Sequence, residues 1–206
     1  MNLHEERSIR SYSKKADHYD QTLDGRMTRK IKQLLVEHVE IADGSSVLDV
    51  ACGNGRLLNM FSRKYRFFGY GADISPEMAR NASQMNPVMT FAAAPCDKLP
   101  FQDDTFDRVT VCAAFHHFPD PAAFLREARR VLKPGGVLAI AEFHYSAPVR
   151  FLLNPLIRFS PAGDVKMYAP AELTALLERA GYLALSVLVS GSIQIIDGQK
   201  RADISA

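Results

Sequence analysis

Short runs of apolar residues alternate along this chain with stretches whose apolar positions recur every three or four residues. From Thr28 onward, Ile31, Leu34, Leu35, His38 and Val39 mark one face of an amphipathic helix, and Asp43-Gly44 ends it. A strand is predicted over 46–50, followed at once by a helix carrying Leu57, Leu58 and Phe61. A second strand over 67–73 closes on an acid. Ser75-Pro76 is a helix start, with serine as N-cap and proline in the first turn. Further strands are predicted over 88–92 and 106–112. Asp120-Pro121 opens a helix whose core face is Phe124, Leu125, Ala128, Val131 and Leu132. Lys133-Pro134-Gly135-Gly136 stops that helix before a fifth strand over 137–143.

The two ends of the chain are less regular. Residues 1–25 are polar with Tyr12 and Tyr19 among them, which predicts one helical segment and then a loop at Asp24-Gly25. Residues 144–168 read as irregular. Pro170 opens a helix with Leu173, Leu176, Leu177 and Ala180 on one face, ended by Gly181. Runs over 183–189 and 192–196, around Ser190-Gly191, predict an antiparallel hairpin at a sheet edge. Strand–helix alternation over most of the length implies an α/β fold with a parallel sheet covered on both faces. Ligands of such sheets sit at the carboxyl ends of the central strands.

Composition narrows the function classes. With 47% apolar and 23% charged residues among 206, the chain is an ordinary globular one, expected to form a single domain over 1–206. A net charge of +2 does not call for a polyanionic partner. Cys52, Cys96 and Cys112 are odd in number and unpaired by spacing, as expected for free thiols in a reducing compartment. The six histidines form no cluster with metal-ligand spacing, so no metal is expected. The first ten residues mix both charges, and the longest apolar stretch is too short to span a bilayer, which gives a cytoplasmic expectation.

The chemistry concentrates after the first strand, in Val47-Leu48-Asp49-Val50-Ala51-Cys52-Gly53-Asn54-Gly55-Arg56-Leu57. Small residues at 51, 53 and 55 let a ligand approach the backbone, and the following helix offers unpaired N–H groups. A tight strand–helix turn without a ligand is the plain alternative. A dinucleotide loop needs a third glycine where Leu58 stands, so a nicotinamide-dependent oxidoreductase is the weaker reading. Asp73, ending the second strand, can accept both hydroxyls of a ribose. It could otherwise favour the next helix dipole, but Ser75 already caps that helix. Loop and acid together point to an adenosine-containing cofactor.

In this combination the sequence resembles the class I S-adenosylmethionine-dependent methyltransferases, nearest the branch of menaquinone/ubiquinone-biosynthesis and small-molecule methyltransferases. The resemblance rests on VLDVACGNGRLL, GADISPEM, LPFQDDTFDRVTVCAAFHHFPD and EARRVLKPGGVLAIAEF in order, with YAPAELTALLERAGY after them. It implies a Rossmann-like, mostly parallel seven-stranded sheet with an antiparallel C-terminal hairpin, a helical cap over 1–45 and a lid over 144–168. S-adenosylmethionine would be the cofactor and S-adenosylhomocysteine its product. Gly53, Gly55 and the small Ala51 would pass beside the methionine moiety, and Asp49 would hold its amino group. Asp73 would take the ribose, with Ile74 and Met78 beside the adenine. The acid that usually meets the adenine amino group is replaced by Pro95, leaving Cys96 and Asp97 as substitutes. Phe115, His116 and His117 fall where the family lines its methyl-transfer site, and Tyr12 and Tyr19 where it covers the cofactor.

The cofactor is already activated, so proximity and alignment are the protein's main tasks and a base is optional. His116 or His117 could accept a proton, and Glu142 is a second candidate. Ordinary packing is the alternative for each histidine, and a solvated strand end for Glu142. Val149, Phe151, Leu152, Leu153, Leu156, Ile157 and Phe159, with Arg150 and Arg158, would admit a hydrophobic or weakly anionic small molecule, or simply cover the sheet edge. Arg126, Arg129, Arg130 and Lys133 make a basic face that reads better as a solvated helix end than as a nucleic-acid site. A small-molecule methyltransferase, monomeric or homodimeric, is thus expected; a non-catalytic protein binding the same cofactor or its product is the alternative.

Overall fold

A computed structural model describes residues 2–157 and 159–201; Arg158 of the expected lid lies outside them. The chain opens with helix α1 (Leu3–Lys15), a 3-10 segment (Ala16–Gln21) and α2 (Leu23–His38). Then come β1 (Ser45–Val50), α3 (Arg56–Ser62), β2 (Phe67–Asp73), α4 (Pro76–Met85), β3 (Thr90–Ala93) and β4 (Phe106–Cys112). A short 3-10 turn (Phe115–His117) leads to α5 (Pro121–Val131), β5 (Leu132–Phe143) and α6 (Ala147–Ile157). The chain finishes with α7 (Pro170–Arg179), β6 (Tyr182–Ser190) and β7 (Ile193–Lys200).

The strands form one seven-stranded sheet in the order β3-β2-β1-β4-β5-β7-β6. The first five pair in parallel, while β7 is antiparallel to both β5 and β6. The order of the parallel strands reverses between β1 and β4, and the carboxyl ends of these strands flank one crevice. Successive side chains of a strand point to opposite faces, which explains the two cores. Leu48, Leu138, Ile140 and Ile196 pack toward Phe124, Leu125, Leu173 and Leu177. Val47, Ala139, Ala141 and Ile195 pack toward Ile31, Leu35, Leu57, Leu58 and Phe61.

Two local expectations are corrected. Asp24-Gly25 is not a loop: α2 begins at Leu23, with Thr22 Oγ1 accepting from the Gly25 N–H at 3.1 Å. Glycine is needed there because a Cβ would lie 2.1 Å from the Tyr19 carbonyl oxygen. Residues 144–168 are not wholly irregular, since α6 occupies their middle despite Pro155 inside it. That helix buries none of its residues, so it lacks the apolar stripe that reveals a helix in sequence. The expected antiparallel hairpin lies at one sheet edge, with β7 pairing to β5 and β6 outermost. The basic face is neutralised locally: Arg130 pairs with Glu127 and Asp103, and Lys133 with Asp107.

Candidate active site

Beyond β1 the backbone makes an unusual turn. Ala51, Gly53 and Gly55 all have positive φ, at 56°, 53° and 74°. Alternating left-handed residues swing the chain across the end of β1 and start α3 at Gly55, whose Cβ, if it had one, would lie 2.7 Å from Asn86 Nδ2. Ala51 carries a side chain in this region, a strained placement of the kind found at ligand sites.

The turn is tied to β2 by Asp73. One carboxylate oxygen accepts from the Gly53 N–H at 2.8 Å, and the other accepts from the Ser75 N–H at 2.9 Å. Burial pushes the Asp73 carboxyl up to about 6, against those two hydrogen bonds, which favour its charge. Each oxygen keeps capacity for a further donor. Asp49 lies deeper, accepting from the Thr110 hydroxyl at 2.8 Å. Burial raises it to about 7, opposed by Thr110 and by the ammonium of Lys32.

A cleft of about 950 Å³, part of it continuous with solvent, opens over these residues. Its walls include Asp49, Ala51, Gly53, Asp73, Ile74, Met78, Cys96 and His117, all singled out in sequence. Tyr12 and Tyr19 also line it, with Lys32, Glu5 and Ser8. Helix α1 is held over the cleft by polar bonds: Ser13 Oγ is 2.9 Å from Ser75 Oγ and 2.6 Å from Glu77 Oε2, and Ser8 Oγ donates to the Ala162 carbonyl at 3.0 Å. Burial, foremost, raises the Tyr12 and Tyr19 hydroxyls, the latter to about 12, so both stay protonated at neutral pH. It raises the Cys52, Cys96 and Cys112 thiols too, which removes them as nucleophiles.

Other expected residues lie elsewhere. Gly55 supports the start of α3 outside the cleft lining, and Asp97 is exposed to solvent away from it. Phe115 is corrected from cleft to core: its ring is fully buried against Phe118, Phe124 and Tyr168. The aromatic run 115–118 hid this, because three residues in a 3-10 turn point in different directions.

Glu142 is not a solvated strand end. It is 3% exposed, accepts from the Phe115 N–H at 2.7 Å, and lies 2.8 Å from His116 Nδ1. Burial lowers the His116 pKa, but the charge and hydrogen bond of Glu142, with Asp164, outweigh it and leave the ring above its usual value. His117 behaves oppositely: burial and the neighbouring His116 hold it well below the usual value. Its Nε2 is 2.9 Å from the Tyr12 hydroxyl. The two rings lie 4.1 Å apart, His117 facing the cleft and His116 a second cavity lined by Tyr145, Ile157, Met167 and Tyr168. Sequence reasoning missed Lys32 and Asp164. Lys32 follows the core position Ile31 on α2 and reads as a surface lysine, and Asp164 stands in a segment without a motif.

Fold and cleft define a class, and comparison agrees with it. Residues 48–140 match the family model of a methyltransferase domain. A 2-methyl-6-phytyl-1,4-hydroquinone methyltransferase of Synechocystis sp. is 35% identical over 122 residues, covering 56% of this chain and 38% of that protein. A ubiquinone/menaquinone biosynthesis C-methyltransferase of Geotalea daltonii is 33% identical over 151 residues, covering 69% and 63%. The chain thus spans less than two thirds of the length of these curated relatives. In fold, it superposes on a chain from the complex between the Haloferax volcanii Trm112 methyltransferase activator and a methyltransferase. The TM-score is 0.80 at 21% identity, over 92% of this chain and 97% of that one.

Proposed function

We propose that this chain transfers the methyl group of S-adenosylmethionine to a small-molecule oxygen, nitrogen or acidic-carbon nucleophile. The observation that carries the reading is the pair of buried carboxylates, Asp49 and Asp73, at the ends of adjacent strands in one cleft. A cationic ligand bearing vicinal hydroxyls compensates both: its ammonium group offsets the desolvated charge, and the hydroxyls meet the open lone pairs of Asp73. The residues present therefore fit the cofactor. When bound, it supplies a methyl group on a positively charged sulfur, open to in-line attack.

In this reading Gly53 and Ala51 keep the backbone close to the ligand, while Ile74 and Met78 give the adenine apolar walls. Cys96 borders the same region of the cleft, where Pro95 offers no N–H. Tyr12 on helix α1 and Tyr19 on the following 3-10 segment cover the cleft and exclude water. His117 is the proton acceptor: it faces the cleft and stays neutral near pH 7, so its ring can take a proton from the acceptor. His116 and Glu142 act through it, by fixing the turn on which it stands. The relatives that act on hydroquinones and quinone precursors make a phenolic ring with an acidic carbon the first acceptor class to test.

The dinucleotide alternative loses ground because Leu58 is fully buried in the core, where a glycine would leave a void. Titration calorimetry with S-adenosylmethionine, S-adenosylhomocysteine and NAD, followed by a demethylation screen over phenols and hydroquinones, tests the proposal. Binding of the two sulfur compounds but not NAD, and turnover with one acceptor, is expected. Failure to bind either sulfur compound would overturn it.

A further inference from the structure

We propose that His116, His117 and Asp164 form a binding site for a first-row transition-metal dication, in the wall between the cofactor cleft and the second cavity. Asp164 Oδ1 lies 3.1 Å from His117 Nδ1 and 3.4 Å from His116 Nε2. One ligand atom from each residue falls within 4.8 Å of the other two. A dication bound at 2.0–2.2 Å holds neighbouring ligand atoms roughly 3 to 3.5 Å apart, so the two measured edges already suit a shared ion.

The donor set and its surroundings point the same way. Two imidazoles and one carboxylate suit zinc, iron, cobalt or nickel, and are a poor set for magnesium or calcium, which prefer oxygen. A histidine that binds a metal through one ring nitrogen is oriented by a polar partner on the other. Both rings have that partner: His116 Nδ1 faces Glu142 Oε2 at 2.8 Å, and His117 Nε2 faces the Tyr12 hydroxyl at 2.9 Å. His117 Nδ1, the nitrogen turned toward Asp164, is buried without a well-aligned hydrogen bond. Asp164 is itself positioned, its other oxygen accepting from the Ser160 hydroxyl. Three protein ligands leave coordination positions for water or for an oxygen of a bound molecule. The linear spacing hides the site because Asp164 reaches it from the stretch between α6 and α7.

The site shares His117 with the proton acceptor proposed for methyl transfer, so its test reads bound metal directly and uses no activity readout. The metal-free full chain is dialysed against Zn²⁺ and, separately, Co²⁺, and bound metal is measured. One equivalent is expected, with affinity reduced at least tenfold in Asp164→Ala and in His117→Ala. Glu142→Gln, which keeps all three ligands, is expected to weaken binding roughly 10–100-fold. Circular dichroism reports whether each variant is folded. The unaltered chain gives a second reading through its cobalt absorption: d–d bands without sulfur-to-metal charge transfer support nitrogen and oxygen ligation. Unchanged affinity in folded Asp164→Ala and His117→Ala, a charge-transfer band from cysteine, or no bound metal would overturn the proposal.

Discussion

Raising the pH from 5 to 8 should destabilise the ligand-free cleft while tightening its hold on S-adenosylmethionine. Asp73 sits near 6 and Asp49 near 7 in the fold, against an ordinary value of 3.8 for each. At about 1.4 kcal/mol per unit, the shifts correspond to roughly 3 kcal/mol for Asp73 and 4 kcal/mol for Asp49. Both folded values exceed the unfolded one. The protonated carboxyls therefore favour the ligand-free fold fully below about pH 4, and that contribution is lost as the pH rises through 6 and 7. Ligand binding has the opposite sign, because a cation with hydroxyl donors prefers the ionised acids.

Below pH 6 the affinity should fall about tenfold per pH unit for one required carboxylate, and more steeply where both must ionise. Calorimetry at constant ionic strength over pH 5 to 8 measures this, and proton release on binding near pH 6 checks it independently. S-adenosylhomocysteine lacks the sulfonium charge and should show a shallower profile. Asp73→Asn should weaken binding by about 1–3 kcal/mol and remove the lower step. An affinity that is flat over the range, or a profile unchanged in Asp73→Asn, would refute the electrostatic account of the cleft.

Two further outcomes probe the frame around it. Leu58→Gly restores the spacing of a dinucleotide loop but empties a fully buried position, so denaturant unfolding should show a loss of about 3–5 kcal/mol, with no gain of NAD affinity. Gly25→Ala drives a Cβ into the Tyr19 carbonyl and the Asp20 backbone; about 1–3 kcal/mol of stability and part of the cofactor affinity should be lost, and a variant with unchanged unfolding would show that the close approach is not required.

The sheet was legible because its signals are local and mutually consistent. Apolar runs ended at acids or glycines, and Ser75-Pro76 and Asp120-Pro121 announced helices whose caps are present in the fold, through Met78 N to Ser75 Oγ and Ala123 N to Asp120 Oδ1. What escaped was set by contacts distant in sequence. Gly25 looks like a loop residue until the Tyr19 carbonyl is seen beneath it. Helix α6 carries apolar residues over much of its surface, with Phe151 86% exposed and Leu152 68% exposed, so no stripe marked it.

The site divides along the same line. Asp49, Gly53 and Asp73 belong to one strand–turn–helix unit and the strand beside it, so local spacing brought them together. The histidine turn could not be resolved that way, because adjacent residues on a 3-10 turn face different spaces. Their chemistry is set by Glu142 from β5, Tyr12 from α1 and Asp164 from beyond α6. Those partners separate two neighbouring imidazoles into a ring held above its usual pKa and one held well below it. A single substitution can therefore act on both: Glu142→Gln removes the charge that favours protonated His116, which in turn relieves the repulsion that keeps His117 neutral. Histidine titration by NMR in this variant should move the two pKa values toward each other, and movement in the same direction would break the proposed coupling.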